Sequence, residues 1–279
     1  MPMSEQKSPS ETAVATALLR AVACFEPDEK IRGRDNLARL FLPEEKQKKL
    51  GSPSYRSAVR AASRDGVYEY VIARTAYFDE IFANALQEAV PQIILLGAGY
   101  DSRAYRFAGR TGATGIFEVD APFTQERKIS ILQANKIDCG TVNFVPVDFE
   151  KDDVCMRLAE KGYSRTQRTL LLWEGVTPYL SPQAVQTMLL EIRRCCREGV
   201  LAFDYLNRAV SSDQEIVRKD ERVLFGMDKD EIENHLSLLG YRTLEHLGPS
   251  DIAARCLTGS DGAVFGTIKK TMCCIQAAI

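Results

Sequence analysis

Successive apolar runs of this chain end in carboxylates, and a glycine turn stands beside the first of them. Ile93-Ile94-Leu95-Leu96 leads into Gly97-Ala98-Gly99, with Asp101 just beyond. Residues 115–119 lead into Asp120, 142–147 into Asp148 and Phe149, and 170–173 into Glu174. A buried strand that feeds Gly-x-Gly makes a tight turn which a ligand can approach closely. Ser102 stands where a dinucleotide fingerprint needs its third glycine, which disfavours a pyrophosphate. A nucleoside cofactor without phosphates fits better, and S-adenosyl-L-methionine is the candidate.

Each side chain has a chemical reading and a plainer one. Asp120, 23 residues after Gly97, can accept hydrogen bonds from both ribose hydroxyls, or it can cap a helix before Pro122. Asp148 can accept from the exocyclic amine of adenine while Phe149 offers an apolar wall, or Asp148 is a cap. Asp101 caps the helix after the turn or meets the amino group of a bound amino acid. Glu174 lies over the cofactor, toward its methionine end or the substrate. Tyr179 faces the same pocket or only packs beside Pro178. Arg74 lies on a solvated face, or reaches down to pair with the methionine carboxylate.

The elements that must position these groups follow from periodicity. Strands are expected at 92–96, 114–119, 142–147, 168–173 and 199–204, with helices at about 102–108, 122–135, 151–161 and 182–196. Such alternation implies a doubly wound α/β fold with a parallel sheet and right-handed crossovers. A helix near 228–239 and a strand near 262–270 complete the sheet. Upstream, residues 12–25 place Val14, Ala17, Leu18, Ala21, Val22 and Phe25 at helical spacing. Residues 66–89 turn Tyr68, Val71, Ile72, Thr75, Phe78, Ile81, Phe82, Ala85 and Leu86 inward. Residues 1–90 therefore read as a polar tail and an N-terminal helical cap. Residues 91–279 read as the cofactor-binding core, with a lid-like insert near 207–227.

The totals exclude several classes. The 279 residues are 45% hydrophobic and 27% charged, with a net charge of −2. This near balance gives no basis for a nucleic-acid or membrane partner. No apolar run approaches the roughly 20 residues that span a bilayer. Eight cysteines are scattered without a C-x-x-C, so no metal site is expected. They read as reduced, structural thiols of a cytoplasmic protein.

Together the motifs resemble the leucine carboxyl methyltransferase-like O-methyltransferases. Leu96-Gly97-Ala98-Gly99-Tyr100-Asp101-Ser102-Arg103-Ala104-Tyr105-Arg106-Phe107 is similar to that family's L-G-A-G-x-D-[ST]-R-x-[YF]-R-[LF]. Further matches follow at 35–42, 73–79, 118–120 and 174–180, so the resemblance covers roughly residues 12–210. It implies a Rossmann-like class I methyltransferase fold with S-adenosyl-L-methionine as cofactor. It carries over Arg74 for the cofactor carboxylate, Gly97 for the turn and Asp120 for the ribose. Asp148 with Phe149 is carried over for adenine, and Glu174 for the methionine end. Arg20 is the nearest match to a second basic residue that some relatives use.

The expected reaction is methyl transfer to an oxygen of a small-molecule acceptor, a carboxylate or a hydroxyl. Both histidines lie late in the chain, which favours an acceptor that is already ionised. One rival keeps the cofactor but cyclises its aminobutyryl chain and releases methylthioadenosine. Another is a nicotinamide-dependent oxidoreductase, which the missing glycine and the lack of a Tyr-x-x-x-Lys oppose. The oligomeric state is not legible in the sequence.

Overall fold

The computed structural model describes residues 11–149, 151–208, 216–218 and 221–279. Five parallel strands follow the expected spans: β1 (Gln92–Leu96), β2 (Gly115–Asp120), β3 (Val142–Pro146), β4 (Thr169–Trp173) and β5 (Gly199–Leu206). The sheet has seven strands in the order β3-β2-β1-β4-β5-β9-β8, where β8 is Arg242–Leu247 and β9 is Met272–Ala278. β9 runs antiparallel to both neighbours. The chain order reverses between β1 and β4, which opens a crevice beyond their carboxyl ends.

The central strands are apolar without alternation because both faces are covered. Ile93 and Leu95 of β1 join one apolar cluster, and Ile94 and Leu96 join the other. The first cluster lies under α1 (Glu11–Ala23) and α4 (Val67–Gln87). The second lies under α7 (Val154–Glu160), α8 (Pro182–Cys195) and α9 (Lys229–Leu238). All nine residues expected inward on α4 are buried, and so are Tyr70, Arg74, Tyr77 and Asp79. α4 is enclosed on nearly all sides, since α1 packs on it from outside and the sheet from within. The segment between them carries a 3-10 turn (Ala38–Phe41), α2 (Glu44–Lys49) and α3 (Pro53–Ala62). Phe41 stacks on Tyr100 at 4.7 Å between ring centres, which draws this layer over the glycine turn.

Several expectations need correction. Phe25 is 49% exposed, because α1 stops at Ala23. The strand expected at 262–270 is instead a loop with one bridge, Thr258 to Val264. Its glycines break strand pairing: Gly262 and Gly266 both have positive φ. The final strand is β9, which buries Cys273, Cys274 and Ile275. Its edge partner β8 and the following α10 (Pro249–Cys256) went unforeseen, because an edge strand reading Arg-Thr-Leu-Glu-His-Leu is polar and half exposed. Cys155 and Cys195 form a disulfide between α7 and α8, so not all thiols are reduced; six other cysteines are free.

Parts of the expected tail and lid, residues 1–10, 209–215 and 219–220, lie outside the described residues. Within the lid span, β6 (Ile216–Arg218) pairs antiparallel with β7 (Glu221–Arg222). The backbone of Leu224 and Phe225 donates to the Pro178 carbonyl, so the end of the span lies against the segment after Glu174. Among the described residues, no helix is long and apolar enough to cross a membrane.

Candidate functional site

The glycine turn follows β1 and is closed by β2. Gly97 has φ +63°, and a Cβ there would lie 2.6 Å from Val176 Cγ2, so only glycine fits. Asp120 ends β2 and accepts from the Gly99 N–H with one oxygen and from the Ala121 N–H, at 2.6 Å, with the other. The cap reading of Asp120 fails, because the N-cap of α6 (Pro122–Ala134) is Ala121 and no side chain caps it. Burial pushes the Asp120 pKa above the ordinary carboxylate value, and the two N–H donors pull against it. Glu118 points the other way. It is fully buried, ion-paired to Lys128 at 2.8 Å and bonded to the Tyr105 hydroxyl.

Below the turn lies an ionic cluster that the sequence showed only in part. Arg103, the first residue of α5 (Arg103–Arg106), is 1% exposed. Its Nη1 lies 2.6 Å from both Asp101 Oδ2 and Glu174 Oε2, and its Nε lies 2.8 Å from Asp79 Oδ1. Asp101 also accepts from the Arg103 N–H at 2.7 Å, but it stands one residue ahead of the α5 N-cap, Ser102, and so braces the turn without capping the helix. Burial alone would raise the Asp101 pKa, but Arg103 outweighs it and, with Lys128, holds it at about 2. Arg74, on α4, lies 2.9 Å from Glu174 and 2.9 Å from Asp204. The Nε atoms of Arg74 and Arg103 sit near carboxylate oxygens but off the N–H direction, so these two contacts are Coulombic rather than hydrogen bonds.

Asp204 is the group that sequence reasoning missed most completely. It is 2% exposed on β5 and accepts from Tyr70 Oη at 2.9 Å, Arg74 Nη1 at 2.9 Å and the Gly175 N–H at 2.6 Å. Gly175 has φ +72°, and a Cβ there would meet Arg74 Nη1 at 3.0 Å. Asp79 is bidentate to Arg106, whose Nε donates to Ser102 Oγ. Ser102 in turn donates to Asp35 at 2.6 Å. Arg20 lies 3.4 Å from Asp35 and donates to the Tyr100 carbonyl at 2.8 Å. A signal was present: Arg103 and Arg106 fall three apart inside the glycine motif, on one face of a short helix.

Asp148 and Phe149 stand apart from this cluster, on the loop after β3. Asp148 pairs with Lys151 at 2.7 Å and is not a helix cap, because Asp153 caps α7. The loop is tied back by the Val147 N–H, which donates to the Asp120 carbonyl at 2.9 Å. Phe149 is 41% exposed. Tyr179 is half-buried in the 3-10 turn Thr177–Tyr179, five residues past Glu174. His246 is bonded to Glu233 and to the Tyr205 hydroxyl, on the edge strand opposite β3, and His235 lies on α9. Asn143, a second polar group near the sheet, spends its amide on the Ile116 carbonyl.

The arrangement provides a carboxylate beside a glycine turn, an exposed aromatic on the next loop, and arginines and carboxylates side by side beneath. That set complements a nucleoside joined to a zwitterionic amino acid.

Comparison with known proteins bears on the family and the fold. The leucine carboxyl methyltransferase family model matches residues 13–193. A Mycolicibacterium smegmatis protein provisionally named an S-adenosyl-L-methionine-dependent methyltransferase is 34% identical over 195 residues, 67% of this chain and 59% of that protein. A Streptomyces coelicolor protein of the same provisional name is 33% identical over 183 residues, 65% of this chain and 63% of that protein. The matched segment thus spans about three fifths of these relatives. A Thermobifida fusca crystal structure described as a methyltransferase has the same fold, with a TM-score of 0.64 and 14% identity over 97% of this chain and 94% of that one. The chain belongs to the leucine carboxyl methyltransferase family.

Proposed function

We propose that this chain is an S-adenosyl-L-methionine-dependent methyltransferase that methylates an oxygen of a small-molecule acceptor. The observation that carries the reading is the pairing of Asp120 with the Gly99 N–H at the crevice of this sheet. Each Asp120 oxygen accepts one backbone N–H, which leaves a lone pair on each for a ribose hydroxyl. The fit extends to both ends of the cofactor. Arg74 would hold the carboxylate, and Asp101 and Glu174 would face the ammonium. Gly97 and Gly99 would allow close approach, while Asp148 and Phe149 would take adenine. Asp204 fixes Arg74 and the Gly175 backbone together.

The bound cofactor supplies a methyl group already activated on a sulfonium. The chain's part is therefore to orient the acceptor in line and to exclude water. Tyr179, after Glu174, would flank the acceptor. Neither histidine lies at the glycine turn, so no imidazole serves as a general base there. This favours a carboxylate acceptor, which needs none, over a hydroxyl.

The test is calorimetric titration with S-adenosyl-L-methionine and S-adenosylhomocysteine, followed by mass spectrometry with and without carboxylic acids and phenols. The expected result is binding of both, and S-adenosylhomocysteine formation only with an acceptor. Methylthioadenosine released without an acceptor would replace methyl transfer by cyclisation. Failure of both ligands to bind would overturn the cofactor assignment.

A further inference from the structure

A cavity of about 370 Å³ lies in the N-terminal helical layer, lined by neither glycine of the turn nor Asp120. This volume falls at the lower end of the roughly 300–1,000 Å³ of small-molecule sites. Its walls come from α1, the segment at 30–35, α4, the turn at 107–110 and Cys256 of α10. Ile31 and Ile72 are buried and Phe107 half-buried in its apolar lining.

Five cations line the cavity against three carboxylates. The carboxylates are committed: Asp35 to Ser102, Asp79 to Arg106, and Glu80 to Arg255 at 2.7 Å. The cations are not all so engaged. Among the described residues, Lys30, Arg34 and Arg110 have no carboxylate within ion-pair distance, and Arg110 only stacks over Phe107. Arg20, 7% exposed, also lines the cavity, and its buried Nε has no hydrogen-bond partner. Unpaired guanidinium groups at the mouth of an apolar pocket match a planar anion on an apolar body.

We propose that this cavity is a second small-molecule site, which binds an organic monoanion: a carboxylate attached to an apolar chain or ring. Lys30, Arg34 and Arg110 hold the carboxylate, and Ile31, Ile72 and Phe107 pack on the apolar body. A free phosphate suits the site less, because it brings no apolar body to cover Ile31, Ile72 and Phe107. The site is not insulated from the glycine turn. Asp79, in the cavity wall, holds Arg103, which holds Glu174, so the occupant lies two ion pairs from Glu174. The inference stands on the cavity alone and does not rest on methyl transfer.

The probes are phenylbutyrate, octanoate and the amide of each, titrated calorimetrically into the full chain. Two variants accompany the wild type. Arg34→Gln with Arg110→Gln removes two exposed charges, and Ala76→Trp fills the cavity from the exposed side of α4. S-adenosylhomocysteine is titrated into each sample as a control for the folded glycine-turn site. The expected result is binding of the acids, about tenfold weaker binding of the amides, and a similar loss in the double variant. Ala76→Trp should abolish acid binding while S-adenosylhomocysteine affinity stays within about twofold. Absence of acid binding overturns the proposal, as does equal affinity for acid and amide, or acid affinity unchanged in both variants. If S-adenosylhomocysteine alone fails to bind, the methyltransferase reading falls and the cavity result still stands.

Discussion

The ionic cluster under the glycine turn and the rim formed by Asp120, Asp148 and Phe149 hold carboxylates under opposite conditions. In the cluster, Arg103 and Arg74 join Asp79 and Asp204, which are buried, and Asp101 and Glu174, which are largely so. On the rim, Asp120 accepts from two backbone N–H groups, Asp148 pairs with a surface lysine, and Phe149 is open. A buried charge is tolerated only when paired, so the cluster serves the fold as much as the ligand. The rim contributes little packing and is free to serve the ligand. Loss of a cluster residue should therefore cost stability first, and loss of a rim residue should cost affinity more than stability.

The largest effect is expected from Arg103→Leu, which takes the cation from Asp101 and leaves Asp79 to Arg106 and Glu174 to Arg74. Breaking one side of a buried pair costs about 3–5 kcal/mol. Thermal unfolding should show a fall in Tm of many degrees, or insoluble protein. A Tm within a degree or two of wild type would mean that the cluster is wet and carries no stability. Asp204→Asn is milder, because the amide oxygen can still accept from the Gly175 N–H. It removes the charge facing Arg74 and should cost about 1–3 kcal/mol. S-adenosylhomocysteine affinity should fall with it as Arg74 loses its anchor, whereas Asp204→Ala should lose more of both. Equal affinity in both variants and wild type would separate Asp204 from the site.

The two regions also differed in how far the sequence disclosed them. Rim residues announce themselves locally, as an acid at the end of an apolar run, and α4 and β1 to β5 follow from their periodicity. The cluster depends on contacts between distant segments: Arg74 meets Asp204 across 130 residues. Asp204 sits inside Ala-Phe-Asp-Tyr-Leu, where no spacing marks an acid as a ligand rather than a strand-end polar group. The Cys155–Cys195 pair likewise joins residues 40 apart, set only by how α7 and α8 pack. β8 was lost for another reason: at a sheet edge one face is wet, and its residues do not read as core.

On the rim, Asp120→Ala should weaken S-adenosylhomocysteine binding by about 1–3 kcal/mol if the carboxylate takes ribose hydroxyls. Its Tm should fall less than that of Arg103→Leu. Unchanged affinity in calorimetry would remove Asp120 from the site. Acid titration adds a second contrast. The folded Asp101 pKa, at about 2, lies below its ordinary 3.8. Its share of stability is present above the ordinary value and is lost as pH falls toward about 2. Asp120 is shifted upward, so folding favours its protonated form, and its ionisation costs stability as pH rises through the folded value. Ribose binding needs the ionised form, so affinity should decline on acidification while the Asp101 ion pair is still intact. Affinity and Tm that fall together would place Asp120 within the cluster's electrostatics.

The smallest effect is expected from Phe149→Ala, and it isolates the rim most cleanly. Phe149 is 41% exposed, so its truncation should leave stability within about 0.5 kcal/mol. Stacking of a base on an aromatic ring is worth about 1–3 kcal/mol, and a partly open ring should give the lower end. S-adenosylhomocysteine should then bind about fivefold to tenfold more weakly, at an unchanged Tm. Phe149→Leu keeps an apolar wall without the ring face and should recover only part of that loss. Full recovery in Phe149→Leu would make the wall a matter of apolar contact rather than stacking. An affinity unmoved by either variant would detach the loop after β3 from the ligand, and leave Asp120 as the rim's one contact.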